Sequence, residues 1–259
     1  MASALHSSNK LLASLPRDEY EEIGASLRPV SIRSGVSLCR YAHSIRDVYF
    51  PGDGAFSLER ISDNGQAIEI AIVGSEGLIG AEVFYGAAES SVDCRPLMSD
   101  VAVHAMNAEV FRSHVERRTA LYNVVVRYQQ ALMTQIVQMT ACTALHTPEQ
   151  RTCRWLLMVH DRAMNEVIPI NHMRLAQMLG IDGRAVAART ARLLAARGAI
   201  VLRRRGVVIE NRAKIEAASC ECYQRMKQSF QRLMPEIGAL SADSVDSESA
   251  RLNSARITS

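Results

Sequence analysis

Between Ala108 and Leu145 the chain runs for 38 residues without a glycine or proline. Within that run Leu121, Val124, Val125, Tyr128, Ala131, Leu132, Gln135, Ile136, Met139 and Cys142 recur every three or four residues, while Arg117, Arg118, Arg127, Gln129, Gln130 and Gln138 lie mostly elsewhere. This is the period of an amphipathic helix, and a helix of more than five turns needs something to bury its apolar stripe. Two partners are open to it. One is its own chain; the other is a second copy in a two-stranded dimer, with the near-heptad set Leu121, Val125, Tyr128, Leu132, Gln135 and Met139 as the dimer helix face.

On either side the pattern differs, which divides the chain. Asn9 to about Glu22 reads as a short helix, interrupted at Pro16. From Leu27 to His104 short apolar or alternating runs (Pro29–Ile32, Val48–Phe50, Ala55–Ile61, Ile68–Val73) are separated by turn residues such as Gly35 and Pro51-Gly52-Asp53-Gly54. Asp63-Asn64-Gly65 predicts a hairpin with a type I′ turn, because Asn-Gly readily takes up positive φ. Many short strands at such spacing predict a β-barrel or roll. After Pro148 a further helix spans Glu149 to Ala163, with Trp155, Leu156 and Val159 inward, and Val167–Ile170 is briefly extended. The Ser- and Ala-rich Ser241–Ser259 predicts a disordered tail. The fold class expected is α+β: a roll over residues 9–115, a long helix over 116–145, a second domain over 146–235 and a tail over 236–259.

The length of 259 residues suits two modest domains, and 48% hydrophobic with 22% charged residues suits a packed core. No uninterrupted apolar run approaches the ~20 residues of a membrane span, and Met1–Ser8 lacks the pattern of a signal peptide. A cytoplasmic protein with no membrane partner is therefore expected. The net charge of +3 conceals an uneven distribution: thirteen Arg or Lys face five acids between Leu145 and Ile215. An Arg-rich excess of this kind points to an anionic partner.

The basic segment contains its own punctuation. Asn171 can cap a helix burying Leu175, Met178 and Leu179, with small Ala176 allowing a close crossing, and Gly180 ends it. Asp182 can cap a second helix with Val186, Thr190 and Leu193 inward and Arg184, Ala188, Arg189 and Arg192 outward. Two short β runs follow, Ala199–Leu202 and Val207–Ile209, joined by Arg203-Arg204-Arg205. Helix, glycine turn, basic helix and basic hairpin in that order predict a winged helix-turn-helix, whose second helix enters the major groove of double-stranded DNA. The predicted DNA-binding residues are Asn171, Asp182, Gly183, Arg184, Ala188, Arg189, Arg192, Arg203, Arg204 and Arg205.

The order of roll, long helix and winged helix-turn-helix resembles the Crp/Fnr family of bacterial transcription regulators, chiefly over Ile170–Leu194 and in the glycine framework Gly35, Gly54, Gly65, Gly77 and Gly80. The resemblance covers roughly Asn9 to Lys214 and implies a homodimer that reads a two-fold symmetric operator and contacts RNA polymerase. Where many members open the recognition helix with Ser-Arg, this chain has Asp182-Gly183 with Arg184 one position later, and Ala188 replaces the next common Arg. The family's cyclic-nucleotide pocket uses a Gly-Glu pair for the ribose and an Arg with Ser or Thr for the phosphate. Here the matching effector pocket would be Gly77, Gly80, Glu82, Ser90 and Ser91, with the acid one residue late and no Arg. From Ile61 to Cys94 there is no Lys or Arg and there are six acids. A phosphate would be poorly compensated there, so cyclic AMP binding of the usual kind is not expected, and the effector is left open.

Six cysteines (Cys39, Cys94, Cys142, Cys153, Cys220, Cys222) show no CxxC and no zinc-finger spacing, so free thiols in a reducing compartment are expected. Cys220-x-Cys222 is the one close pair, and neither Glu221 nor the distant histidines complete a metal site with it in sequence. The clustered N-terminal cysteines of the family's iron–sulfur branch are missing. His6, His43 and His104 read as surface or structural histidines rather than haem ligands. No metal and no cofactor are therefore expected. A phosphate loop, a metal-binding motif and a GxSxG turn are all missing, which argues against an enzyme, and His160-Asp161 reads as a helix-end pair. The alternative to a DNA-binding regulator is a cyclic-nucleotide-responsive module that acts through protein contacts.

Overall fold

A computed structural model describes residues 9–33, 35–98, 100–163, 167–171, 174–176 and 184–235. The expected tail, 236–259, lies outside them, as does His6.

The N-terminal helix is two helices, α1 (Lys10–Ala13) and α2 (Arg17–Gly24), divided at Ser14–Pro16. Asn9 fixes the first of them to the roll. Its Oδ1 accepts from Leu12 N at 3.0 Å, and its Nδ2 donates to Pro51 O at 2.8 Å and Gly77 O at 3.0 Å. Six strands follow: β1 (Arg28–Ile32), β2 (Asp47–Pro51), β3 (Phe56–Ile61), β4 (Ala67–Val73), β5 (Asp93–Pro96) and β6 (Val101–Asn107). They form two antiparallel three-stranded sheets, ordered β1-β6-β2 and β4-β3-β5. Phe56, Ile72 and Val103 belong to the core of the roll, whereas Phe50 and Met106 join a second apolar cluster with Leu11, Leu12 and Phe111.

The hairpin at Asp63-Asn64-Gly65 forms, but not as a type I′ turn. Only Gly65, at φ +79°, enters the positive region, and Ser62 N donates to Gln66 O at 2.8 Å. The loop is therefore three residues long, a tight turn closed by a left-handed glycine, which needs one positive φ rather than two.

The long helical run is broken as well. It divides into α3 (Ala108–Glu116) and α4 (Ala120–Leu145), with Arg118 at φ +55° between them. Helix α2 supplies what the break requires: the Glu19 carboxylate accepts from Ala120 N at 3.0 Å and Leu121 N at 2.8 Å, and from the Thr119 hydroxyl. A carboxylate on the first amides of a 26-residue helix satisfies orphan donors and complements the helix dipole.

The predicted apolar face of α4 packs on its own chain. Leu121, Val125, Tyr128 and Met139 are buried, and Leu132 is partly so. Tyr128 donates to Leu78 O at 3.1 Å, and Gln129 donates to Ala81 O at 3.0 Å. The Gln135 amide makes two bonds to the backbone of Ile72, at 3.0 and 3.1 Å. On the opposite side Val126, Met133 and Val137 are exposed at 40%, 56% and 62%. With Gln130, Thr140 and Ala144, which are also exposed, they alternate at spacings of four and three residues.

The C-terminal part contains α5 (Pro148–His160), β7 (Val167–Ile168), α6 (Arg184–Ala196), β8 (Ile200–Arg203), β9 (Gly206–Ile209), α7 (Arg212–Ala218) and α8 (Cys222–Leu233). Thr147 and Gln150 form a capping box at the start of α5, as the Thr-Pro sequence suits. A three-stranded sheet ordered β7-β9-β8 lies beside α6. Trp155, Leu156 and Val159 are buried, and α8 packs along α4.

Where α5 meets the roll, Glu69 of β4 is buried at 4% exposure, with one oxygen accepting from the Ser57 hydroxyl at 2.8 Å. Burial raises its carboxyl to about 7, more than the Ser57 bond offsets. A carboxyl whose folded pKa lies above its unfolded one adds stability that is complete below the unfolded value, near 4, and lost as pH rises through about 7. Glu69→Gln should therefore flatten the fall in melting temperature between pH 4 and 8, gaining up to roughly 3 kcal/mol at the upper end. Parallel melting curves for the variant and the parent chain would rule this out.

Candidate nucleic-acid interface and effector pocket

Helix α6 forms where predicted, but its buried face differs from the expected one. Ala187, Thr190, Ala191 and Leu194 are buried, whereas Val186 and Leu193 are 38% and 39% exposed. Positions 187, 190, 191 and 194 form one i, i+3, i+4, i+7 face, which meets β8 and α5. Arg189 and Arg192 are exposed and Ala188 is half-buried. Arg184 opens the helix; its side chain, together with Asp182 and Gly183, lies outside the described residues. The same holds for the turn and most of the first helix, including Met178, Leu179 and Gly180. Asn171 is exposed and its Oδ1 accepts from Arg174 N at 2.8 Å, the cap expected of it, while Leu175 and Ala176 are buried.

The positive charge of this segment is divided between two uses. Arg162 binds Glu76 at 2.6 Å and Arg174 binds Glu59 at 3.2 Å, joining the C-terminal domain to the roll. Arg197 pairs with Glu149, and Lys214 donates to Arg197 O at 2.9 Å. Arg212 binds Asp161 at 2.7 Å, Glu216 at 2.8 Å and His160 Nδ1 at 3.0 Å, so the His160-Asp161 pair is part of an ion cluster joining α5 to α7. Arg151 and Arg154 are buried. Among the described residues of the segment, Arg189, Arg192, Arg203, Arg204 and Arg205 are exposed and pair with no acid. The last three occupy the tip of the β8–β9 hairpin.

In the roll, a cavity of about 140 Å³ is lined by Leu58, Ile70, Gly80, Glu82, Ser91 and Leu132 among others, with no Lys or Arg. Glu82 is already engaged: its Oε1 accepts from Ser91 Oγ at 3.0 Å, Ser91 N at 3.3 Å and Ser90 Oγ at 3.3 Å. Gly77 has a packing role, since a Cβ there would lie 2.5 Å from the Tyr128 ring, and Gly80 takes φ +82° ahead of the turn that carries Glu82. The structure thus brings Gly80, Glu82, Ser90 and Ser91 together and places Gly77 against α4. His43 Nδ1 lies 2.9 Å from Tyr41 O, and His104 is buried in β6, where burial lowers its pKa.

The cysteines depart from expectation. All six are unpaired and buried, but Cys142, Cys220 and Cys222 converge, and His146 joins them. The Cys142 thiol is held below its ordinary value, chiefly by its hydrogen bond with Cys220 and with help from Arg154. Sequence alone puts no histidine near Cys220-x-Cys222, because 74 positions separate His146 from Cys220 and only the antiparallel packing of α8 on α4 closes the gap. The available signal was Cys142-x-x-x-His146 itself, two ligand types on one face of a helix end.

A β-roll is thus joined by a long helix to a C-terminal domain in which helix α6 and the β8–β9 hairpin expose arginines. The family profile of the Crp-like helix-turn-helix domain matches residues 150–218. That match lies in the C-terminal domain, and the chain as a whole has the fold of solved Crp/Fnr-type regulators. Solved structures of similar fold include FixK2 from Bradyrhizobium japonicum, at a TM-score of 0.62 and 15% identity, covering 75% of this chain and 98% of that one. TTHB099, a CRP-family transcriptional regulator of Thermus thermophilus, aligns at 0.61 and 16%, covering 73% and 96%. The c-di-GMP responsive global regulator CLP of Xanthomonas campestris aligns at 0.59 and 14%, covering 76% and 100%. No curated protein sequence matches the chain.

Proposed function

We propose that this chain is a cytoplasmic, sequence-specific DNA-binding regulator that acts as a homodimer on a two-fold symmetric operator and contacts RNA polymerase there. The observation that carries the reading is the group of five exposed, unpaired arginines on α6 and the wing, within a segment whose other described cations are buried or engaged inside the protein. Arg184 and Arg189 approach base edges, and Arg192, Arg203, Arg204 and Arg205 meet phosphates. Asn171, Asp182, Gly183 and Ala188 set the approach of the reading helix.

The dimer forms along α4, through Val126, Gln130, Met133, Val137, Thr140 and Ala144 rather than through the face that already packs on its own roll. The 4-3 spacing of this exposed set is that of a coiled-coil seam. The roll supports this assembly and does not respond to cyclic AMP. The cavity beside Glu82 has a carboxylate where a phosphate would need a cation, and that carboxylate is occupied by two serines.

Isothermal calorimetry with cyclic AMP and cyclic GMP should show no saturable heat, while a DNA titration should show affinity falling steeply with salt. Tight nucleotide binding without DNA affinity would instead establish the alternative, a signalling module acting through protein contacts.

A further inference from the structure

The end of α4 and the turn between α7 and α8 bring together three sulphurs and an imidazole. Cys142 and His146 lie four residues apart, on one face of the helix end. Cys220 and Cys222 flank Glu221 at the start of α8. Cys142 Sγ and Cys220 Sγ are 3.5 Å apart, Cys222 Sγ and His146 Nδ1 are 3.5 Å apart, and all four ligand atoms lie within 4.8 Å of one another. Bond lengths of about 2.3 Å to sulphur and 2.0–2.1 Å to nitrogen put the edges of a tetrahedral Cys3His zinc site at about 3.5–3.8 Å. The four atoms are thus close to those positions, in a space that suits one ion rather than a cluster.

The surroundings fit the same chemistry. His146 Nε2 lies 3.1 Å from the Glu221 carboxylate, which can accept a hydrogen bond from Nε2–H and so leave the Nδ1 lone pair facing the sulphurs. Gln138 Nε2 donates to Cys222 Sγ at 3.1 Å, a contact that holds this sulphur in place. Three thiolates, a neutral imidazole and a divalent ion sum to one negative charge. Arg151 and Arg154 supply positive charge beside Cys142, and both are buried with an unpartnered Nε. Thiolate and imidazole ligands in tetrahedral array select zinc among the common divalent ions.

We propose that Cys142, His146, Cys220 and Cys222 form a structural zinc site. Four protein ligands close the coordination, so the ion acts as a clip, not a catalyst. It fastens the C-terminal helices to the end of α4, where Thr147 and Pro148 begin the DNA-binding domain. The site does not depend on what the reading helix recognises.

The full chain, purified without chelator from zinc-supplied cells, should contain one zinc per chain by plasma mass spectrometry. After exchange into cobalt(II), it should show thiolate charge-transfer absorption and the strong visible bands of tetrahedral cobalt. The C220S/C222S double variant should lose both signals, whereas C153S, a buried cysteine outside the cluster, should keep them. Zinc content in the parent chain no higher than in the double variant, or a cobalt spectrum without thiolate charge transfer, would overturn the proposal. So would a Cys142–Cys220 disulfide as the resting state under reducing purification. The parent-chain measurements decide even if the double variant does not fold.

Discussion

Replacing Val137 by glutamate should convert the protein to a monomer in sedimentation velocity and lower operator affinity by at least about 10³-fold, the smallest usual gap between specific and non-specific binding. Val137 is 62% exposed in the single chain, so a charge there disturbs none of the chain's own packing. In a two-stranded seam the same position meets its symmetry mate, and two carboxylates would be buried face to face without a cation. One half-site contact per monomer then remains, and specificity falls with it. A dimer that survives Val137→Glu, with circular dichroism unchanged, would remove the exposed face of α4 as the dimer contact.

The second large effect belongs to the wing. The triple variant Arg203→Ala, Arg204→Ala, Arg205→Ala should weaken binding to every DNA sequence alike and leave the ranking of operators unchanged. The plot of log affinity against log salt should become shallower by about 1 for each phosphate that no longer meets an arginine, hence by as much as about 5 for a dimer. All three side chains are exposed and unpaired with acids, so the change should leave the fold intact. A variant that alters base preference but not the salt slope would mean that the wing reads bases rather than phosphates.

The parts legible in the sequence were those written in local chemistry. Glycine and Asn-Gly punctuation marked the strands of the roll, and Asn171 and the Arg203–Arg205 turn marked the cap and the wing. What was not legible depended on contacts between distant segments. The break at Arg118 has no Gly or Pro to announce it, because Glu19, about a hundred residues away, supplies the cap that makes it possible. Helix α4 carries two apolar stripes, and its sequence does not say which one the roll takes; Gln135, a polar residue suited to a second copy, is bound to the backbone of Ile72. In α6, the buried face is Ala187, Thr190, Ala191 and Leu194 rather than Val186 and Leu193, because two alanines on it give the sequence pattern little apolar weight. Part of the charge excess, Arg162, Arg174, Arg197 and Arg212, holds the two domains together or neutralises acids within the C-terminal one, a division that composition does not reveal.

The central claim, that a dimer of this chain reads DNA sequence, is tested most directly by selecting bound fragments from a random-sequence or genomic library with the full-length protein. The account predicts enrichment of one two-fold symmetric motif, its half-sites about one helical turn apart. No enriched motif, with binding that depends only on salt, would contradict it.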